Sequence, residues 1–124
     1  MEISFALLPA FLHVYFFILE SLLWGRPRIN RIFGVKPQDV AATKPLAFNQ
    51  GFYNLFLAIA IFAGLHFRTG EMTYSMGTTL IIYALLSICG AGLVLLLSNP
   101  RKMWRGAVIQ FVPAAIALVP YLKS

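Results

Sequence analysis

Residues 74–97 read YSMGTTLIIYALLSICGAGLVLLL. Within this stretch Leu80-Ile81-Ile82-Tyr83-Ala84-Leu85-Leu86 is apolar on every face. A membrane-barrel strand would instead alternate apolar and polar over about ten residues. The stretch therefore reads as a membrane-spanning helix, since a hydrocarbon core about 30 Å thick takes roughly 20 apolar residues in helical form. Working outward, residues 3–24, 46–67 and 104–122 meet the same requirement. The expected fold is all-α, an integral membrane four-helix bundle occupying residues 1–124 as a single transmembrane domain, with a cytoplasmic loop at 25–45.

Composition supports this reading. Hydrophobic residues make up 60% of the chain and charged residues 11%, against about a quarter charged in soluble domains. A soluble core of this size has no room for so many apolar side chains. The net charge of +6 comes from Lys and Arg in short loops between apolar runs, a pattern that orients membrane helices and forms no basic face for nucleic acid. Arg26, Arg28, Arg31, Lys36, Lys44, Arg101, Lys102 and Arg105 account for eight of the ten basic residues. The positive-inside rule then places the first and third loops in the cytoplasm and both termini on the non-cytoplasmic side. Trp24 and Trp104 fall at the cytoplasmic interface, Tyr74 and Tyr121 at the other. No basic segment precedes the first apolar run and no small-residue cleavage site follows it, so the run reads as a retained helix.

The first loop is punctuated by Pro27, Pro37 and Pro45. Ile29, Ile32, Phe33 and Val35 interleave with Arg28, Arg31 and Lys36, as expected of a segment lying among anionic headgroups. Asp39 is placed to cap a helical turn over residues 40–43.

Ionisable and amide side chains within spans are costly and usually face protein or water. His13 and Glu20 are seven apart, which returns them to one helical face about 10 Å apart along the axis. Asn49, Gln50 and Asn54 open the second span and Gln110 lies in the fourth, beside Pro113, which kinks its helix and frees backbone carbonyls. Together these residues predict a polar pocket in the cytoplasmic half of the bundle, with Tyr15 and Tyr53 as aromatics able to reach it. The duller reading of the amides is interhelical glue worth about 0.6 to 2 kcal/mol each. Glu20 could equally snorkel to Arg26 or Arg28. Ala60, Gly64, Ser87 and Ala91, with Cys89, Gly90 and Gly92, mark close packing or dimer faces. His66 reads as a solvated histidine beside Arg68. Cys89 can form no internal disulfide, and no metal, nucleophile or phosphate-loop signature is found; neither metal nor cofactor is expected.

Three blocks carry a wider likeness: His13-Val14-Tyr15-Phe16-Phe17-Ile18-Leu19-Glu20 through Trp24, Ala47-Phe48-Asn49-Gln50-Gly51-Phe52-Tyr53-Asn54 with Phe56-Leu57-Ala58, and Gln110-Phe111-Val112-Pro113-Ala114. In them the chain resembles a family of small bacterial membrane proteins known as domain of unknown function 1304 (DUF1304). The resemblance implies four helices, a bacterial inner-membrane location, and signature positions at His13, Glu20, Asn49, Gln50, Asn54 and Gln110. Family members often have Met and Gly where this chain has Ser21 and Leu55. The family brings no established activity.

The residues leave several functions open. The first is binding or carrying a hydrophobic, lipid-like small molecule whose polar head meets the pocket. The second is proton-coupled transport of a cationic small molecule through Glu20, by analogy with four-helix exporters that work as dimers. The third is lipid-modifying chemistry with His13 and Glu20 as acid and base, and the fourth a helper subunit without a ligand. Expected partners are membrane lipids, a hydrophobic small molecule and a second copy of the chain as a homodimer, with no nucleic acid.

Overall fold

The computed structural model describes residues 4–123, and among them every regular element is helical. The elements are α1 (Leu7–Phe17), a π-helical turn (Ile18–Leu22), α2 (Pro27–Ile32), a 3-10 turn (Pro37–Asp39), α3 (Val40–Phe67), α4 (Tyr74–Ser98) and α5 (Pro100–Lys123). Pro37–Phe67, Tyr74–Ser98 and Pro100–Lys123 are long and apolar enough to cross a membrane, and Leu7–Leu22 is a shorter apolar helix. Large apolar side chains such as Leu8, Phe56, Tyr83, Val94 and Leu97 stand more than half exposed. Water disfavours such a surface and lipid accepts it.

Three boundaries differ from expectation. The first helix runs only from Leu7 to Leu22, roughly 24 Å at 1.5 Å per residue, where a span over 3–24 was expected; residues 1–3 lie outside the described part. It ends as Gly25 takes φ 104, a left-handed conformation open to glycine without steric cost. The second helix begins at Val40 and continues through Pro45, where proline was expected to close the loop. Proline removes the hydrogen bond to the carbonyl of Ala41. Ala41 is exposed at the helix start, where water can satisfy that carbonyl. The Thr43 hydroxyl bonds the backbone carbonyl of Asp39 at 2.8 Å, supporting the turn. The last helix starts at Pro100 and not at residue 104. Asn99 caps it, its Oδ1 accepting from the Lys102 amide at 3.3 Å, with proline at the first helical position where its missing N–H costs nothing.

The chain divides into two compact units. One comprises the segment up to Phe11 and everything from Leu57 on. Its core holds Ile61, Ile81, Leu85 and Ile88, all fully buried, with Ala6, Ala10, Ala114 and Ala117. Small residues set its helix spacing: a Cβ on Gly77 would lie 2.4 Å from the Gly64 carbonyl oxygen, and one on Gly92 would lie 3.1 Å from the Phe111 Cβ. Gly64 and Gly92 thus serve packing within the chain, whereas Gly90 faces open space. Arg68 anchors one end of this unit. Its guanidinium bonds the hydroxyls of Thr78 and Tyr74 and lies 4.4 Å and 4.8 Å from the ring centroids of Tyr74 and Tyr121, within cation–π range.

The other unit, Leu12–Phe56, contains the rest of α1, the π turn, α2 and the first part of α3. Trp24 ties its connecting segment down. The indole Nε1 donates to the Thr43 hydroxyl at 3.2 Å, and the ring lies 5.1 Å from that of Phe33.

Candidate functional site

The buried stripe of α3 is Ala47, Gly51, Asn54, Ala58 and Ile61. Steps of four and three residues keep these side chains on one helical face. Asn54 sits at the polar position of an otherwise small and apolar stripe, and it is 4% exposed.

Opposite Asn54 lies the π-helical turn. Its Leu23 amide reaches back to the Ile18 carbonyl at 3.0 Å, the wide hydrogen-bond pattern that occurs often at functional sites. Glu20 stands in the middle of this turn and is half-buried. Asn54 Nδ2 donates to Glu20 Oε1 at 3.0 Å. The glutamate is therefore bonded to an amide on a neighbouring helix, and not to Arg26 or Arg28 as snorkelling would require. A carboxyl group and an amide withdrawn from water in this way satisfy each other where lipid offers no partner.

The contact between Gly51 and Ser21 holds the two elements this close. A Cβ on Gly51 would meet Ser21 Oγ at 1.9 Å and Ser21 Cβ and backbone nitrogen at 3.0 Å. Ser21 Oγ donates to the Phe48 carbonyl at 2.7 Å. Ser21 follows Glu20 directly and Gly51 lies one turn before Asn54, so the close approach and the polar pair form one structure. Phe17 packs edge-on against Phe52 at 5.0 Å, joining the same two elements through an aromatic contact.

The other residues singled out from the sequence are distributed as follows. His13 is fully buried, with its ring edge-on to Phe16 at 5.3 Å. The π turn, which contains Glu20, departs from the uniform α-helical register between His13 and Glu20. Asn49 and Gln50 are exposed. Tyr15 is 50% and Tyr53 57% exposed, so both rings open outward. Gln110 is half-buried on α5, in the other unit. Glu20 and Asn54 are joined by a hydrogen bond.

Ser21 and Gly51 are positioning residues that side-chain chemistry alone does not flag. The signal for Gly51 is the spacing of Ala47, Gly51 and Ala58 along α3, which marks its packing face. Among the described residues no group of three His, Cys, Asp or Glu side chains is placed to hold a metal.

The model of the family described as Protein of unknown function (DUF1304) matches residues 7–122. No curated protein and no solved structure matches the chain.

Proposed function

The chain belongs to the DUF1304 family, and we propose that it binds or carries a hydrophobic small molecule whose polar head is received by Glu20. The observation that carries this reading is the Asn54–Glu20 hydrogen bond on a π-helical turn. Asn54 engages Oε1, and the half-buried carboxyl group keeps capacity for a second partner, such as a ligand hydroxyl or amine. The rings of Phe17, Phe48, Phe52 and Phe56 form a continuous run of aromatic contacts across the same two elements, an apolar surface for the body of such a molecule. Charge asymmetry supports an inner-membrane protein with both termini on the non-cytoplasmic side, Leu7–Leu22 serving as a fourth, shorter span. Glu20, a few residues before Trp24, then lies in the cytoplasmic half.

Glu20→Gln is the informative variant because an amide oxygen still accepts from Asn54 Nδ2, so the helices keep their contact while the acidic group is lost. Protein extracted in native-lipid particles is expected to carry a molecule enriched over bulk membrane lipid, detectable by mass spectrometry. Glu20→Gln is expected to lose that enrichment with its melting temperature unchanged. The same profile in wild type and Glu20→Gln would overturn the reading. Proton release on adding a cationic compound, abolished in Glu20→Gln, would reassign the residue to transport.

A further inference from the structure

A second polar feature lies in the segment between the π turn and α3, within the unit Leu12–Phe56 and apart from the Glu20–Asn54 pair. Here the chain folds round a cleft of about 480 Å³. Pro27, Val35, Pro37 and Val40 form its apolar walls, Asn30 its buried floor and Arg31 its exposed rim. The two left-handed glycines, Gly25 at φ 104 and Gly34 at φ 66, turn the backbone into and out of α2 and so shape the cleft.

Asn30 is the anomaly. It is 4% exposed, and both side-chain atoms, Oδ1 and Nδ2, are buried without a hydrogen-bond partner among the described residues. Its backbone is fully used, the amide donating to Arg26 O at 3.0 Å and the carbonyl accepting from Val35 N at 2.9 Å. The side chain is therefore not needed to cap α2. A buried amide with neither group bonded is costly, and native structures rarely keep one without a ligand, ion or water to satisfy it. The cleft beside it is many times the roughly 30 Å³ share of a single water.

Charge identifies the class of ligand. Arg31 is on the rim, Arg26 and Arg28 are exposed alongside, and Asp39 is the only acidic residue of the segment. Guanidinium and amide N–H groups together recognise phosphate oxygens. Oδ1 of Asn30 needs a donor in return, which a hydroxyl close to the phosphate supplies. We infer that the Asn30–Arg31 cleft binds a hydroxyl-bearing phosphate ester of the phosphoglycerol type, with the apolar walls taking the carbon skeleton. The phosphate is carried either by an anionic lipid headgroup or by a soluble ester.

The test uses the full chain in detergent with Trp104→Phe, which leaves Trp24, next to Gly25, as the one tryptophan. Short-chain phosphatidylglycerol is expected to shift Trp24 emission saturably, with phosphatidylcholine of the same chain length at least about tenfold weaker. Asn30→Leu and Arg31→Gln are each expected to weaken the phosphatidylglycerol response at least about tenfold. Asn30→Leu should melt no lower than its parent, because it removes an unsatisfied amide at similar volume. Glycerol 3-phosphate acting as strongly as the lipid would support the site and assign it a soluble ester. The inference fails if no response saturates, if phosphatidylcholine binds equally, or if the variants bind as the parent does. Should Asn30→Leu not fold, Arg31→Gln at its exposed position decides alone.

Discussion

Gly51→Ala is expected to destabilise the protein by about 1–3 kcal/mol, the usual cost of forcing a methyl group into a packed contact, and to uncouple Glu20 from Asn54. The added carbon would lie 1.9 Å from Ser21 Oγ and 3.0 Å from both Ser21 Cβ and backbone nitrogen. Rotating the serine hydroxyl relieves only the first of these contacts. The elements must therefore move apart, and the bonds from Ser21 to Phe48 and from Asn54 to Glu20 stretch with them. Thermal unfolding of the detergent-solubilised protein measures the loss. Ser21→Gly in the same chain removes the two serine side-chain atoms and should restore much of the stability. Strictly additive effects in this double-mutant cycle would mean that the two residues do not meet.

Asn54→Leu is the second large effect, about 1–3 kcal/mol, because it leaves the Glu20 carboxyl group half-buried without its donor. The side chain keeps its approximate volume, so the loss reports the hydrogen bond and not a cavity. Asn54→Leu combined with Glu20→Leu removes both polar partners and is expected to melt well above Asn54→Leu alone. A ranking by melting temperature checks this order: wild type and Glu20→Gln together at the top, the double variant next, Asn54→Leu lowest. If Asn54→Leu melted with the wild type, the amide would not be satisfying Glu20.

Which features were legible in the sequence follows from the kind of signal each residue emits. The run from Leu80 to Leu86 is apolar in every direction, so no register had to be chosen, and α4 lies within a residue of where hydropathy places it. Helix ends that rest on capping were harder. Asn99, Arg101 and Lys102 are polar or charged and, with Pro100, look like loop by hydropathy, yet Asn99 and Pro100 form a regular helix start. Pro45 looks like a breaker because its effect depends on whether the orphaned carbonyl reaches water, which sequence does not state.

For the site, the residue types were readable and their partners were not. Glu20 and Asn54 stand out in any hydrophobic span, but Gln50 shares a helical face with Asn54 at a spacing of four just as Gly51 does at three. The close contact with Ser21 puts Gly51 inward and leaves Gln50 exposed. A π turn is likewise invisible to an argument built on 3.6 residues per turn, so the angle between His13 and Glu20 is not the one two ideal turns give. Asn30 is silent in the sequence for a different reason: a lone amide among arginines and prolines reads as surface, and only its burial marks it.

The central claim is that the Glu20 carboxyl group, held by Asn54, is approached from the apolar phase by a hydrophobic ligand. Its most direct test is carbodiimide labelling of Glu20 in native membranes, read by peptide mass spectrometry. A membrane-soluble carbodiimide is expected to label Glu20, an added extract of the cell's own lipids to protect it, and a charged, water-soluble carbodiimide to leave it unmodified. Labelling by the water-soluble reagent alone, unaffected by lipid extract, would contradict the account.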